Sequence, residues 1–135
     1  MVDDGTRNTF ISGGGVADFS GNFEKMLREP EPRGLGVPVI TLLVEGGTDS
    51  IFKVKDGLEK AQPCVIIEGS GRAADILAYG YRHANRQASG AFTLKEGHLK
   101  HIENMLEESY ADRLADNTGE SKRKMYMNWV IEVIR

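Results

Sequence analysis

Two uncharged apolar runs, each ending in Glu-Gly and leading into a helix start, dominate the hydrophobic pattern of this chain. The first is Val37-Pro-Val-Ile-Thr-Leu-Leu-Val44, followed by Glu45-Gly46-Gly47-Thr48. The second is Pro63-Cys-Val-Ile-Ile67, followed by Glu68-Gly69-Ser70-Gly71-Arg72. Runs rich in β-branched residues and lacking alternation predict strands covered on both faces, as in parallel sheets. Ser50 to Lys60 reads as a helix with Ile51, Phe52, Val54 and Leu58 inward, weakened at Gly57 by about 1 kcal/mol relative to alanine. Arg72 to Arg82 reads as a second helix, with Ala73, Ile76, Leu77 and Gly80 on one face.

The flanks are patterned differently. Met1 to Gly15 is turn-rich, and the chain reads as beginning at the end of an element. Phe19, Phe23, Met26 and Leu27 recur at helical spacing, with Ser20 or Asn22 as caps, and this helix must stop before Pro30 and Pro32. Thr93-Leu-Lys-Glu96 matches a capping box, ahead of a helix that buries Leu99, Ile102, Met105, Leu106 and Tyr110. Asp116 to Lys124 reads as a polar break, and Trp129 to Ile134 alternates like a strand. Two strand–helix units with incomplete margins predict an α/β fold with a parallel sheet, truncated at both ends.

Composition narrows the partners. The 135 residues allow one modest domain, residues 1–135, which can belong to something larger. A net charge of −3 argues against a nucleic-acid binder that works through a basic surface. The cluster Lys122-Arg123-Lys124 reads as a solvated turn. The lone Cys64 lies inside a strand pattern and reads as a reduced core residue, in keeping with a cytosolic compartment. No stretch reaches the ~18 apolar residues of a membrane span, and no signal peptide is recognisable.

A strand that ends in a glycine turn and opens a helix brings backbone N–H groups toward a phosphate. Gly69-Ser-Gly-Arg-Ala-Ala74 satisfies the dinucleotide pattern, yet the acidic residue expected about 20 positions on falls at Glu96, inside the capping box. Glu45-Gly-Gly-Thr48 lacks the Gly-Lys-Ser/Thr ending of a Walker loop, although it can form a small anion nest with Thr48 and Ser50 hydroxyls beside it. Arg72 can pair with a phosphate or form a surface ion pair. Glycines that serve only tight turns, with no ligand, are the plainer alternative. His98 and His101 share a helix face without the further ligands a zinc site needs, and His83 lies at a helix end. No Ser-His-Asp or Cys-His grouping is recognisable, and Cys64 is placed too deep to be a convincing nucleophile. Met125 and Met127, beside Trp129, read as edge packing.

With these residues laid out, Val37–Gly47 and Pro63–Ala78 closely resemble the cytosolic N-terminal region of TRPM (melastatin-type transient receptor potential) cation channels. Val2-Asp-Asp-Gly-Thr6 is similar to a further motif of that region, and the likeness is concentrated in residues 37–82. The resemblance implies a Rossmann-like SLOG domain, here partial, and a regulatory, non-catalytic module of a homotetrameric calcium-permeable channel at the inner face of the plasma membrane. It further implies an ADP-ribose-like nucleotide ligand, with no required cofactor. Carried over by position, the candidate ligand residues are Glu45, Gly46, Gly47 and Thr48, then Gly69, Ser70, Gly71 and Arg72. Asp4, Gly5 and Thr6 join them. An upstream Thr-Gly-Gly-type turn, helical repeats, membrane spans and a pore have no counterpart in these residues.

The enzymatic relatives of SLOG domains carry Pro-Gly-Gly-x-Gly-Thr followed by carboxylates. Glu45 stands here for the proline, Asp49 for a glycine and Ser50 for the threonine, and Phe52 and Lys53 fall where the carboxylates would be. Glycosidic cleavage through an oxocarbenium-like state needs a carboxylate, so catalysis of that kind is disfavoured, and a small nucleotide-processing enzyme stands as the rival reading. A purely structural interaction fragment is the third.

Overall fold

The computed structural model describes residues 16–88, 90, 92–115 and 118–135, with side chains described from residue 21 onward. The chain divides into two compact units, Met1–Val39 and Ile40–Arg135.

In the first unit, helix α1 spans Val16–Arg28, and the chain then turns back on the helix end. The Leu35 amide donates to the Met26 carbonyl (3.0 Å), and that of Gly36 donates to Glu29 (2.8 Å). These bonds satisfy carbonyls that a helix C-terminus leaves without partners. The helix stops where the prolines require. Asp4, Gly5, Thr6 and the Gly13–Gly15 turn lie outside the described residues.

The second unit opens with β1 (Thr41–Val44) and α2 (Thr48–Glu59), then β2 (Cys64–Ile67) and α3 (Arg72–His83). A short hairpin, β3 (Asn85–Arg86) with β4 (Phe92–Thr93), leads to α4 (Glu96–Leu114) and α5 (Gly119–Ile134). β1 and β2 pair in parallel, Thr41 opposite Cys64 through Val44 opposite Ile67. This is the α/β arrangement with a parallel sheet that the two apolar runs predict. Helices α2 and α3 pack on the sheet, and α4 and α5 pack against those helices as a further layer. The core joins Leu43, Ile51, Val54, Ile76 and Leu77 to Ile102, Leu106, Val130 and Ile134.

Four sequence-based expectations are corrected. The strands are not covered on both faces, because side chains alternate across a sheet and the helices meet only one side. Leu42, Val44, Val65 and Ile67 are 43–61% exposed, opposite the face of Leu43 and Ile66. Phe52 and Leu58 are exposed rather than inward; the Phe52 ring packs against Trp129 at a tilt, 5.1 Å between centres. Thr93 caps nothing: it lies in β4 opposite Asn85, and α4 starts at Glu96 after Lys95. Finally, Trp129–Ile134 is the end of α5, whose buried positions Tyr126, Val130 and Ile134 recur every four residues. A six-residue apolar run cannot by its own pattern separate strand from buried helix.

Candidate functional site

Both Glu-Gly turns leave the same end of the two-stranded sheet, and hydrogen bonds lock them together. After β1, the backbone enters the left-handed region at Glu45 (φ 57°) and Gly46 (φ 87°). After β2, Gly69 (φ 83°), Gly71 (φ 102°) and Arg72 (φ 48°) do the same. Glycine adopts such angles without the steric cost a Cβ brings. The Glu45 amide donates to Ser70 Oγ (2.8 Å), and that hydroxyl donates to the Ile67 carbonyl (2.6 Å). The Gly69 amide donates to Asp75 Oδ1 (2.7 Å).

The same contacts change the expected anion geometry. First-turn amides of a helix have no intrahelical acceptor, but those of α3 are used by the first turn. The Ala74 amide donates to the Glu45 carbonyl (2.9 Å), and that of Ala73 donates to Gly46 (3.4 Å). The N-terminus of α3 is therefore capped by protein, and Gly69, Ser70 and Gly71 hold the turns in register. At α2, the Gly47 amide donates to Ser50 Oγ (3.2 Å), and the Ser50 amide donates back to the Gly47 carbonyl (3.0 Å).

Cationic groups stand over this junction. Arg72 is exposed, and its guanidinium lies 5.4 Å from the centre of the Tyr110 ring, within cation–π range. Arg113 donates to Thr48 Oγ1 (2.9 Å) and reaches Asp49 Oδ2 at 3.5 Å. Tyr110 itself donates to the Gly46 carbonyl (3.2 Å). Burial pushes the Tyr110 hydroxyl from its ordinary value of 10 up to about 12, against the opposing pull of Arg72 and Arg113. The structure thus brings Glu45, Gly46, Gly47 and Thr48 together with Gly69, Ser70, Gly71 and Arg72.

Arg113 went unread in the sequence, and Tyr110 was read only as core. Their signal is weak: the two sit three apart on α4, a spacing that shares a helix face. Cys64 is half-buried rather than deep, and burial raises its thiol pKa, which lowers the thiolate fraction that nucleophilic attack needs. Among the described residues, no group of three or more His, Cys, Asp and Glu side chains is arranged to hold a metal ion. A groove of about 630 Å³ follows β2, lined by Cys64, Ile66, Leu77, Tyr81 and Val133, with Glu68 and Arg82 paired there.

A parallel sheet whose strands end in interlocked glycine turns, flanked by two guanidinium groups and a tyrosine, defines an α/β domain. Its family follows from comparison with known proteins. The family model described as "SLOG in TRPM" matches residues 1–118, and the chain belongs to that family.

Among curated relatives, the chain is 32% identical over 89 residues to a transient receptor potential cation channel subfamily M member-like 2 of Nematostella vectensis, covering 62% of this chain and 6% of that protein. It is 37% identical over 86 residues to subfamily M member 6 of Mus musculus, covering 62% and 4%. To subfamily M member 2 of Mus musculus it is 33% identical over 82 residues, covering 58% and 5%. The chain thus spans only 4–6% of the length of these relatives. No solved structure matches it. No helix among the described residues is long and apolar enough to cross a membrane.

Proposed function

We propose that this chain is a cytosolic, non-catalytic regulatory module of a TRPM-type calcium-permeable channel, binding an ADP-ribose-like nucleotide at the interlocked turns and working with other domains or subunits of a tetramer. The observation that carries the reading is the bond from the Glu45 amide to Ser70 Oγ, which joins two turns beside Arg72, Tyr110 and Arg113. Guanidinium groups suit a diphosphate because they are permanently charged and can donate bidentately. Glu45, Gly46 and Gly47 shape the approach, Thr48 and Arg113 flank it at α2, and Arg72 flanks it at α3. The family resemblance also nominates Asp4, Gly5 and Thr6 as ligand residues, and they lie outside the described residues.

The mechanism is population shift: a nucleotide that favours one arrangement of the module and its neighbours moves the channel equilibrium by its differential affinity. The rival hydrolase reading is disfavoured because exposed Phe52 and Lys53 stand where catalytic carboxylates would be needed. Differential scanning fluorimetry with ADP-ribose tests the proposal. A ligand at a hundredfold excess over Kd stabilises by about 2.7 kcal/mol, and Arg72→Ala should remove most of the shift. Absence of any shift at millimolar ADP-ribose would refute nucleotide sensing, and release of free base from nucleoside monophosphates would favour the enzyme.

A further inference from the structure

The three histidines of the chain, scattered at positions 83, 98 and 101, meet in one aromatic cluster around Tyr79. The cluster joins the end of α3 to the start of α4. The Tyr79 hydroxyl and His98 Nδ1 share a hydrogen bond of 2.8 Å. His83 Nδ1 donates to the Tyr79 carbonyl at 2.8 Å, which places its proton on that nitrogen because a carbonyl only accepts. The His83 and His98 rings lie 4.4 Å apart between centres, and the His101 ring lies 4.5 Å from Tyr79. No other side-chain bond of these four residues reaches across the two helices among those described.

We propose that this cluster is a proton-operated latch: neutral imidazoles hold the first turns of α4 on the end of α3, and protonation of His98 releases them.

The electrostatic setting gives the latch its direction. His98 lies in the first turn of α4, where the positive end of the helix dipole disfavours a cation. The charges that act on it are His83, Lys95 and His101, all positive when charged. Glu96 lies in the same turn. On α3, Arg82 is paired with Glu68, and in the hairpin Arg86 lies over Tyr81. On α4, Lys100 is paired with Glu103. On α5, Glu132 is paired with Lys55, Arg123 with Glu107 and Lys124 with Glu120. Desolvation, followed by those positive neighbours, lowers the His98 pKa from its ordinary 6.5. The unfolded chain therefore binds more protons than the folded one as pH falls through 6.5. Stability contributed by the latch is complete above that value and is lost below it.

The test is a proton titration of the 135-residue chain by NMR, paired with amide hydrogen exchange at pH 7.5 and 5.5. The expected result is a His98 pKa below 6.5. With it comes faster opening of Tyr79–His83 and His98–Ile102 at the lower pH, after correction for intrinsic exchange. Because pH 5.5 lies one unit below 6.5, the expected increase in opening is at most about tenfold. His98→Gln, which keeps a polar partner for Tyr79, should abolish the pH dependence of that opening, and His101→Gln should reduce it less. A His98 pKa at or above 6.5, equal protection at both pH values, or an unchanged pH response in His98→Gln would each overturn the proposal. If the variant does not fold, the wild-type titration and exchange decide alone.

Discussion

Replacing Gly46 with alanine tests whether the first turn is held as described, and the adjacent Gly47 supplies its own control. Gly46 sits at φ 87°, and a Cβ there would meet Leu43 Cδ1 and Ser50 Cβ at 2.9 Å and Ser50 Oγ at 3.0 Å. A left-handed backbone costs a non-glycine residue roughly 1–2 kcal/mol. Overpacking a filled site costs roughly 1–3 kcal/mol more. Moving Ser50 also disturbs the bond that its hydroxyl accepts from Gly47, so we expect Gly46→Ala to destabilise by about 2–5 kcal/mol. At Gly47, by contrast, the backbone is extended (φ −92°, ψ −173°) and a Cβ meets nothing within 4 Å. Alanine is a poorer N-cap than glycine by roughly 0.5–1 kcal/mol, but it restricts the unfolded chain by about 0.4–1 kcal/mol. Gly47→Ala should fall within about 0.5 kcal/mol of wild type. Urea denaturation reads both from the midpoint at constant m. Equal midpoints for the two variants would refute the assigned turn geometry.

Two further outcomes follow from the same structure. Gly57→Ala should stabilise by about 0.5–1 kcal/mol in the same denaturation assay, because the atoms nearest the added Cβ are Thr41 Oγ1 at 3.6 Å and Gln62 atoms at 3.8 Å, ordinary contact distances; destabilisation would show that α2 packs more tightly against β1. Tyr110 keeps its proton in the folded chain up to about 12 while the unfolded chain loses it near 10, so stability should fall as pH rises through that interval. Absorbance titration of tyrosinate should show a late step from Tyr110, and Tyr110→Phe should remove it.

The parts of the fold legible in the sequence are those with local causes. The runs ending at Val44 and Ile67 are strands because β-branched residues favour an extended, packed backbone, and Glu45-Gly46 and Gly69–Arg72 are turns because glycine tolerates positive φ. Ala73, Ile76, Leu77 and Gly80 form the buried face of α3 that their spacing predicts. What was not legible is long-range. Tyr110 and Arg113 reach the first turn from 64 and 65 residues away, and no local pattern encodes that meeting. Nor does local pattern tell which sheet face the helices leave open, or that Thr93 pairs with Asn85 instead of capping α4. The helical reading of Trp129–Ile134 required the upstream Tyr126, because only Tyr126, Val130 and Ile134 together show the four-residue repeat.

The central claim is that the two Glu-Gly turns form one nucleotide site, and amide chemical-shift mapping with ADP-ribose tests it most directly. The account predicts saturable shifts concentrated at Gly46, Gly47, Thr48, Gly69, Gly71 and Arg72, extending to Tyr110 and Arg113 and greatly weakened by Arg72→Ala. Shifts scattered over the surface, or none at millimolar ADP-ribose, would contradict it.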